Sequence, residues 1–243
     1  MGRWDFAIFL SRVPSGETTY LGWLLQGLRT TILLSVCALL LALLLGTVLG
    51  VLRTVPGRGL RAAAGAYVEL FRNVPLLVQL FIWYFVVPEV VPAGQRFKQV
   101  DPTLQQFLAS ALCLGLFTAA RVCEQVRAGI ESLSRGQRNA GLALGLTLPQ
   151  TYRYVLLPMA ARIVVPPLTS ETLNVFKNSA VCSTIGLLEL TAQGRQLVDY
   201  TARAYESFLA VTVLYLVLNA GIQLVMRKVE ARVRVPGYLG SGR

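Results

Sequence analysis

The chain has 243 residues, of which 54% are hydrophobic and only 14% charged, with no histidine and a mean hydropathy of +0.57. These proportions exclude an ordinary soluble domain and point to a membrane protein. The net charge of +11 does not indicate nucleic acid as a partner, because the basic residues are divided among short loops rather than gathered on one face.

The N-terminus, MGRWDFAIF, lacks the form of a signal peptide, since the first apolar run starts too late and runs too long. That run is the first predicted span, about Leu24 to Leu52. Within it, residues 31–52 carry no charge and would rise about 33 Å as a helix, roughly one hydrocarbon core. The second span is expected from near Ala66 to near Pro88, with VPLLVQLFIWYFVVP at its centre, and the third from about Leu104 to Arg121 or a turn beyond. A weak fourth span, about Ala160 to Leu190, contains Pro166, Pro167, Glu171, Lys177 and Asn178. The fifth is SFLAVTVLYLVLNAGIQLVM, residues 207–226. The expected fold is therefore an all-α polytopic membrane protein, one transmembrane domain over residues 1–243 with five helices and its termini on opposite sides.

Loop charge sets the orientation. One set of loops carries Arg53, Arg58, Arg61, Arg127, Arg135, Arg138, Arg153, Arg162, Arg227, Lys228, Arg232 and Arg234; the other has Arg3, Arg12, Arg96, Lys98, Arg195 and Arg203. Twelve against six puts the N-terminus outside and the C-terminus in the cytoplasm. Cys37, Cys113, Cys123 and Cys182 lie in or beside apolar segments with no CxxC pair, and read as small core residues.

Between the third and fourth spans lies a stretch too short and too polar to cross a membrane, NAGLALGLTLPQTYRYVLLP, residues 139–158, within a cytoplasmic loop expected over 134–158. Thr147 and Gln150 have the spacing of a capping box, and Pro149 falls in the first turn of the helix that follows. Leu148, Tyr152, Val155 and Leu156 share one face, and Pro158 is expected to end the element. With a turn or two from Asn139 to Leu144 closed by Gly145, the segment reads as two short helices joined at a glycine. Its apolar face suits either the lipid interface or a groove on a cytoplasmic partner.

The charged residues within the spans form three groups. Glu69 with Arg72 and Arg121 with Glu124 are each three apart, so each pair shares a helix face. Glu171, Asn174, Lys177 and Asn178 form a polar stripe near the middle of the fourth span, which reads as a translocation route with Arg72 as a further basic group, or as a buried pair that holds a dimer.

Residues 139–158 also resemble the signature loop of bacterial ATP-binding-cassette importer permeases. Asn139-Ala140-Gly141, then Gly145, then Val155-Leu156-Leu157-Pro158 keep both of that loop's spacings, with Asn139 in place of the usual glutamate and Gly141 in place of the second alanine. YVELFRNVPLLVQLF (67–81), NVFKNSAVCSTIGLLEL (174–190) and TAARVCEQVRAGIESLSRGQ (118–137) are similar to polar amino-acid permeases, and taken together are closest to those of glutamate/aspartate systems.

The resemblance implies a type I importer core in the bacterial inner membrane, without catalytic residues, metal or cofactor of its own. Asn139, Ala140, Gly141, Gly145, Leu148, Tyr152, Val155, Leu157 and Pro158 would then couple the chain to an ATPase subunit. Implied partners are a second, related permease, two cytoplasmic subunits that bind ATP-Mg, a periplasmic amino-acid-binding protein and membrane lipid. The absence of a GxxxxGK[ST] run agrees with nucleotide binding on another chain. The alternatives are a permease for glutamine, histidine or arginine, or an ion-coupled secondary transporter, which would commonly show inverted repeats and more spans.

Overall fold

The computed structural model describes residues 4–14, 16–92 and 94–233. After a 3-10 turn at Phe6–Leu10 the chain forms α1 (Tyr20–Leu52), α2 (Arg58–Asn73), α3 (Leu76–Phe81), a π turn at Ile82–Val86, α4 (Val87–Val90), α5 (Gly94–Lys98) and α6 (Pro102–Glu131). There follow α7 (Arg135–Ala143), α8 (Leu148–Thr151), a π turn at Tyr152–Leu156, α9 (Leu157–Asn178), a 3-10 turn at Ser179–Ile185, α10 (Leu190–Thr201) and α11 (Ala204–Val233). Among the described residues there is no β-strand, only an isolated bridge between Arg12 and Thr19. Among the described residues three helices, α1, α6 and α11, are long and apolar enough to cross a membrane, or four spans if α2 and Leu76–Val90 are counted as one broken span.

Four boundaries differ from expectation. The fourth span does not run to Leu190: α9 stops at Asn178 and a 3-10 turn follows to Ile185. The second span does not begin near Ala66: α2 is amphipathic, with Ala64 and Val68 buried while Arg58, Arg61, Glu69 and Arg72 are exposed, and it stops at Asn73. Val74 is extended (φ −97°, ψ 129°), as the ring of Pro75 requires of the residue before it. The third helix runs on to Glu131, because Val122, Val126 and Ile130 continue the buried face at four-residue spacing. Pro158 does not end a helix. The π turn before it carries the Leu157 N–H to the Tyr152 carbonyl, and the widened turn accommodates a ring that would strike the carbonyl four residues back in a regular helix. Pro88 follows the other π turn in the same way, where the Val87 N–H reaches the Ile82 carbonyl.

The chain divides into two compact units. The first comprises Met1–Leu40, Pro75–Gly115 and Asn174–Gly221. One of its cores gathers Leu34, Ala38, Leu80, Cys113, Leu114 and Val175, and another Tyr20, Leu24, Leu190, Leu197 and Val211. Glu189 caps α10 in this unit: its carboxylate accepts from the Ala192 N–H at 2.8 Å and from the Tyr215 hydroxyl at 2.9 Å.

The second unit comprises Leu41–Val74, Leu116–Leu173 and Ile222–Arg243. Its core packs α1 on α6 and α6 on α9 through Ala42, Ala119, Val122, Val126, Ala160 and Val164. Ala42, Gly46 and Gly50 form a stripe of small residues along α1, and a Cβ at Gly46 or Gly50 would lie within 2.7 Å of Val122 or Val126. Small residues at this spacing let two helices approach closely in a membrane, where packing rather than water exclusion drives association.

Candidate functional site

Two features of the second unit concentrate the residues singled out in the sequence. The first is the loop of α7 and α8. The helix α7 ends in a Schellman turn: the Leu146 N–H donates to the Gly141 carbonyl at 3.1 Å and the Gly145 N–H to the Leu142 carbonyl at 3.0 Å. This turn needs a left-handed residue, and Gly145 supplies it at φ +81°. Beyond it the capping residues take their expected places, with the Thr147 N–H donating to Gln150 Oε1 at 2.8 Å. Gly141 lies against the buried Thr151, so that a Cβ there would sit 2.9 Å from Thr151 Cγ2. The two short helices thus pack on each other as well as joining end to end.

The shared apolar face of this loop is covered by the chain itself. Tyr152 is 6% exposed, Leu156 is buried, and Leu148 and Leu157 pack against the same core. The Tyr152 hydroxyl donates to Thr54 Oγ1 at 3.1 Å, tying the loop to the segment that follows α1. Val155 is half-buried, while Asn139, Ala140 and Pro158 are exposed. The apolar groups left outside are Leu142, Leu144 at 83% exposure and Tyr154 at 63%, with the Arg153 guanidinium 5.7 Å from the Tyr154 ring centroid. Periodicity finds the buried face readily; Leu142, Leu144 and Tyr154 lie off it, and the sequence gives no sign that they would be the exposed set.

The second feature is a cavity of about 380 Å³ lined by Arg72, Phe117, Arg121, Glu124, Gln125 and Glu171. Neither three-residue pair singled out in the sequence, Glu69 with Arg72 or Arg121 with Glu124, is the pairing found: Arg53, Arg72 and Arg121 each reach a glutamate on another helix, and Glu124 meets Arg127 three residues on. Arg121 Nη1 lies 3.8 Å from Glu171 Oε2, and Gln125 Nε2 donates to Glu171 Oε1 at 3.3 Å. Glu124 faces three guanidinium groups, those of Arg53, of Arg72 at 4.0 Å and of Arg127 at 3.8 Å. Glu69 is exposed. Helix faces bring α2, α6 and α9 together here, and a carboxylate is then satisfied by whichever cation the neighbouring helix presents.

Of the polar stripe, Glu171 alone lines this cavity, joined there by Arg72. Asn174 and Asn178 are half-buried and Lys177 is exposed in the last turn of α9. Arg121 and Glu124, read from the sequence as a pair on one helix face, and Gln125, not singled out there, also line it. Two arginines and two glutamates around one phenyl ring present groups for both ends of a zwitterion, in a volume within the usual range of ligand pockets, about 300–1,000 Å³.

Comparison with known proteins places these features in context. Residues 23–235 match the family described as binding-protein-dependent transport system inner membrane component. The chain is 59% identical over 241 residues, 98% of each protein, to the glutamate/aspartate import permease protein GltJ of Escherichia coli (strain K12). It is 34% identical over 209 residues to the probable glutamine ABC transporter permease protein GlnM of Bacillus subtilis (strain 168), covering 86% of this chain and 92% of that one. A crystal structure of an amino acid ABC transporter with histidines aligns with a TM-score of 0.75 at 29% identity, over 88% of this chain and 95% of its own. An inward-facing form of the MetNI methionine ABC transporter shares the fold at a TM-score of 0.72 and 23% identity, over 88% and 98%.

Proposed function

The chain belongs to the family of binding-protein-dependent transport system inner membrane components, and on that premise we propose that it carries glutamate and aspartate into the cell. It is a permease subunit of an ATP-driven importer in the bacterial inner membrane, and not itself an enzyme. The observation that carries the substrate assignment is the 59% identity to the glutamate/aspartate permease over essentially the whole chain, against 34% for the glutamine relative.

In this reading the chain spans the membrane five times as a single domain over residues 1–243, with the N-terminus outside and the C-terminus in the cytoplasm. The loop 134–158 is the coupling element. Tyr152, Leu148 and Leu157 anchor it to the chain, and the exposed Leu142, Leu144 and Tyr154 meet the ATPase subunit, as do Asn139 and Ala140. Gly141, Gly145, Val155 and Pro158 set its shape. ATP-Mg binds on two partner subunits, a second and related permease completes the path, and a periplasmic protein delivers the amino acid. Substrate passes Arg72 and Glu171 at the cavity, with Asn174, Lys177 and Asn178 further along α9. A basic group for the side-chain carboxylate and an acidic one for the amino group are what a dicarboxylic amino acid asks of such a passage.

The test is ATP-dependent uptake of labelled glutamate into proteoliposomes holding the chain with its partner permease, ATPase and binding protein. Uptake that glutamate and aspartate compete for, and that Glu171→Ala abolishes in assembled complexes, supports the assignment. Uptake blocked instead by glutamine, histidine or arginine overturns the substrate.

A further inference from the structure

A second charged cavity of the same unit, about 300 Å³, lies between α9 and α11, away from the groups just described, and nothing in the transport reading uses it. Its floor is apolar, from Val165, Pro166 and Ala231, and its cations are Arg162 and Arg227, one from each helix. Its single carboxylate, Glu230, accepts from the Thr169 hydroxyl and, among the described residues, pairs with neither arginine. Among the described residues neither arginine forms an ion pair, in contrast to Arg53, Arg72, Arg121 and Arg127, which are all matched to glutamates. Lys228 and Arg232 extend the positive charge along the exposed end of α11. The depth is fixed by sequence: the apolar stretch of α11 ends at Met226, so Arg227 stands where the hydrocarbon gives way to headgroups. Three residues before it, on the same face of α11, Leu224 is 59% exposed and offers apolar surface next to the groove.

We propose that this groove binds an anionic phospholipid, with its phosphate held between Arg162 and Arg227 and an acyl chain lying along Leu224. Guanidinium groups from two helices give a phosphate paired donors that a zwitterionic headgroup would partly cancel with its own cation. Basic recesses between membrane helices at the cytoplasmic face are the usual form of such sites. A headgroup bridging α9 and α11 would fasten the last helix to the one that carries Glu171. The inference rests on the chain's place in the membrane and not on which amino acid it moves.

The test uses the assembled transporter in nanodiscs of phosphatidylcholine mixed with phosphatidylglycerol, with retained lipid counted by native mass spectrometry. Arg162→Ala combined with Arg227→Ala should weaken phosphatidylglycerol retention about tenfold, while the equal charge loss of Arg58→Ala with Arg61→Ala on α2 should not. Ala231→Trp keeps both charges and fills the groove, and should expel the lipid as well, which guards against a double variant that fails to assemble. Unchanged retention in these variants, equal retention of phosphatidylcholine, or displacement by soluble glycerol phosphate at matched concentration would each overturn the proposal. So would loss of the lipid whenever the ATPase subunit binds. Glutamate-stimulated ATPase activity measured in the same nanodiscs separates failure of the lipid site from failure of the transport assignment.

Discussion

Replacing Gly145 tests the coupling loop through backbone conformation alone. The residue sits at φ +81°, and a Cβ added there would meet no atom within 4 Å, so a side chain brings no clash. An L residue held left-handed costs about 1–2 kcal/mol. The turn can escape that cost only by giving up the two hydrogen bonds that close it, each worth about 0.5–1.5 kcal/mol, so the cheaper route still penalises the turn by about 1–2 kcal/mol. That is small beside the ~5–15 kcal/mol that hold a domain folded, but it shifts a local equilibrium about tenfold. Membrane insertion and assembly should therefore survive while force transmission fails. The assay is uptake and phosphate release measured in the same proteoliposomes, reported as substrate moved per ATP. The expected order is Gly, then Asn, which tolerates the left-handed region, then Ala, then Val. A valine variant with the wild-type ratio would refute the reasoning, and an asparagine variant as poor as valine would show that side-chain size, not backbone, is what matters.

Other consequences can be read from stability. Gly50→Leu forces a Cβ to within 2.7 Å of Val126, and should lower the thermal midpoint of the detergent-purified chain by an amount equivalent to about 1–3 kcal/mol. Tyr152→Phe removes the hydroxyl that reaches Thr54 and should cost about 0.5–1.5 kcal/mol in the same assay, with reduced coupling if that bond transmits force. Ala202 ends α10 at φ +55°, so Ala202→Gly should raise the midpoint, by about 1 kcal/mol; an unchanged or lower value would mean that the turn is not strained.

The parts of the fold legible in the sequence are those fixed by local chemistry. The long apolar runs of α1 and α11 declare themselves, and the Gly145 turn and the Thr147–Gln150 cap follow from residues a few positions apart. Pro158 misleads because its effect depends on the turn before it: a π turn lets the helix continue where spacing alone ends it. The second span misleads because the break at Val74–Pro75 separates an amphipathic helix from an apolar one that composition runs together. The charged groups were legible as a set but not as pairs. Spacing along one helix joins Arg121 to Glu124, whereas packing joins Arg121 to Glu171 on α9 and brings Arg53 and Arg72 to Glu124, whose partner on its own helix is Arg127. The apolar face of the loop was legible too, but whether a face meets its own core or a partner is decided by helices far away in the chain.

The most direct measurement of the central claim is ATPase activity of the complete complex with binding protein, when glutamate, aspartate, glutamine, histidine and arginine are offered one at a time. Stimulation by glutamate and aspartate alone is the expected result, lost in the Gly145→Val variant. Stimulation by any of the other three without the acidic pair would contradict the substrate assignment, and a complex whose ATPase ignores every amino acid would contradict the coupling role itself.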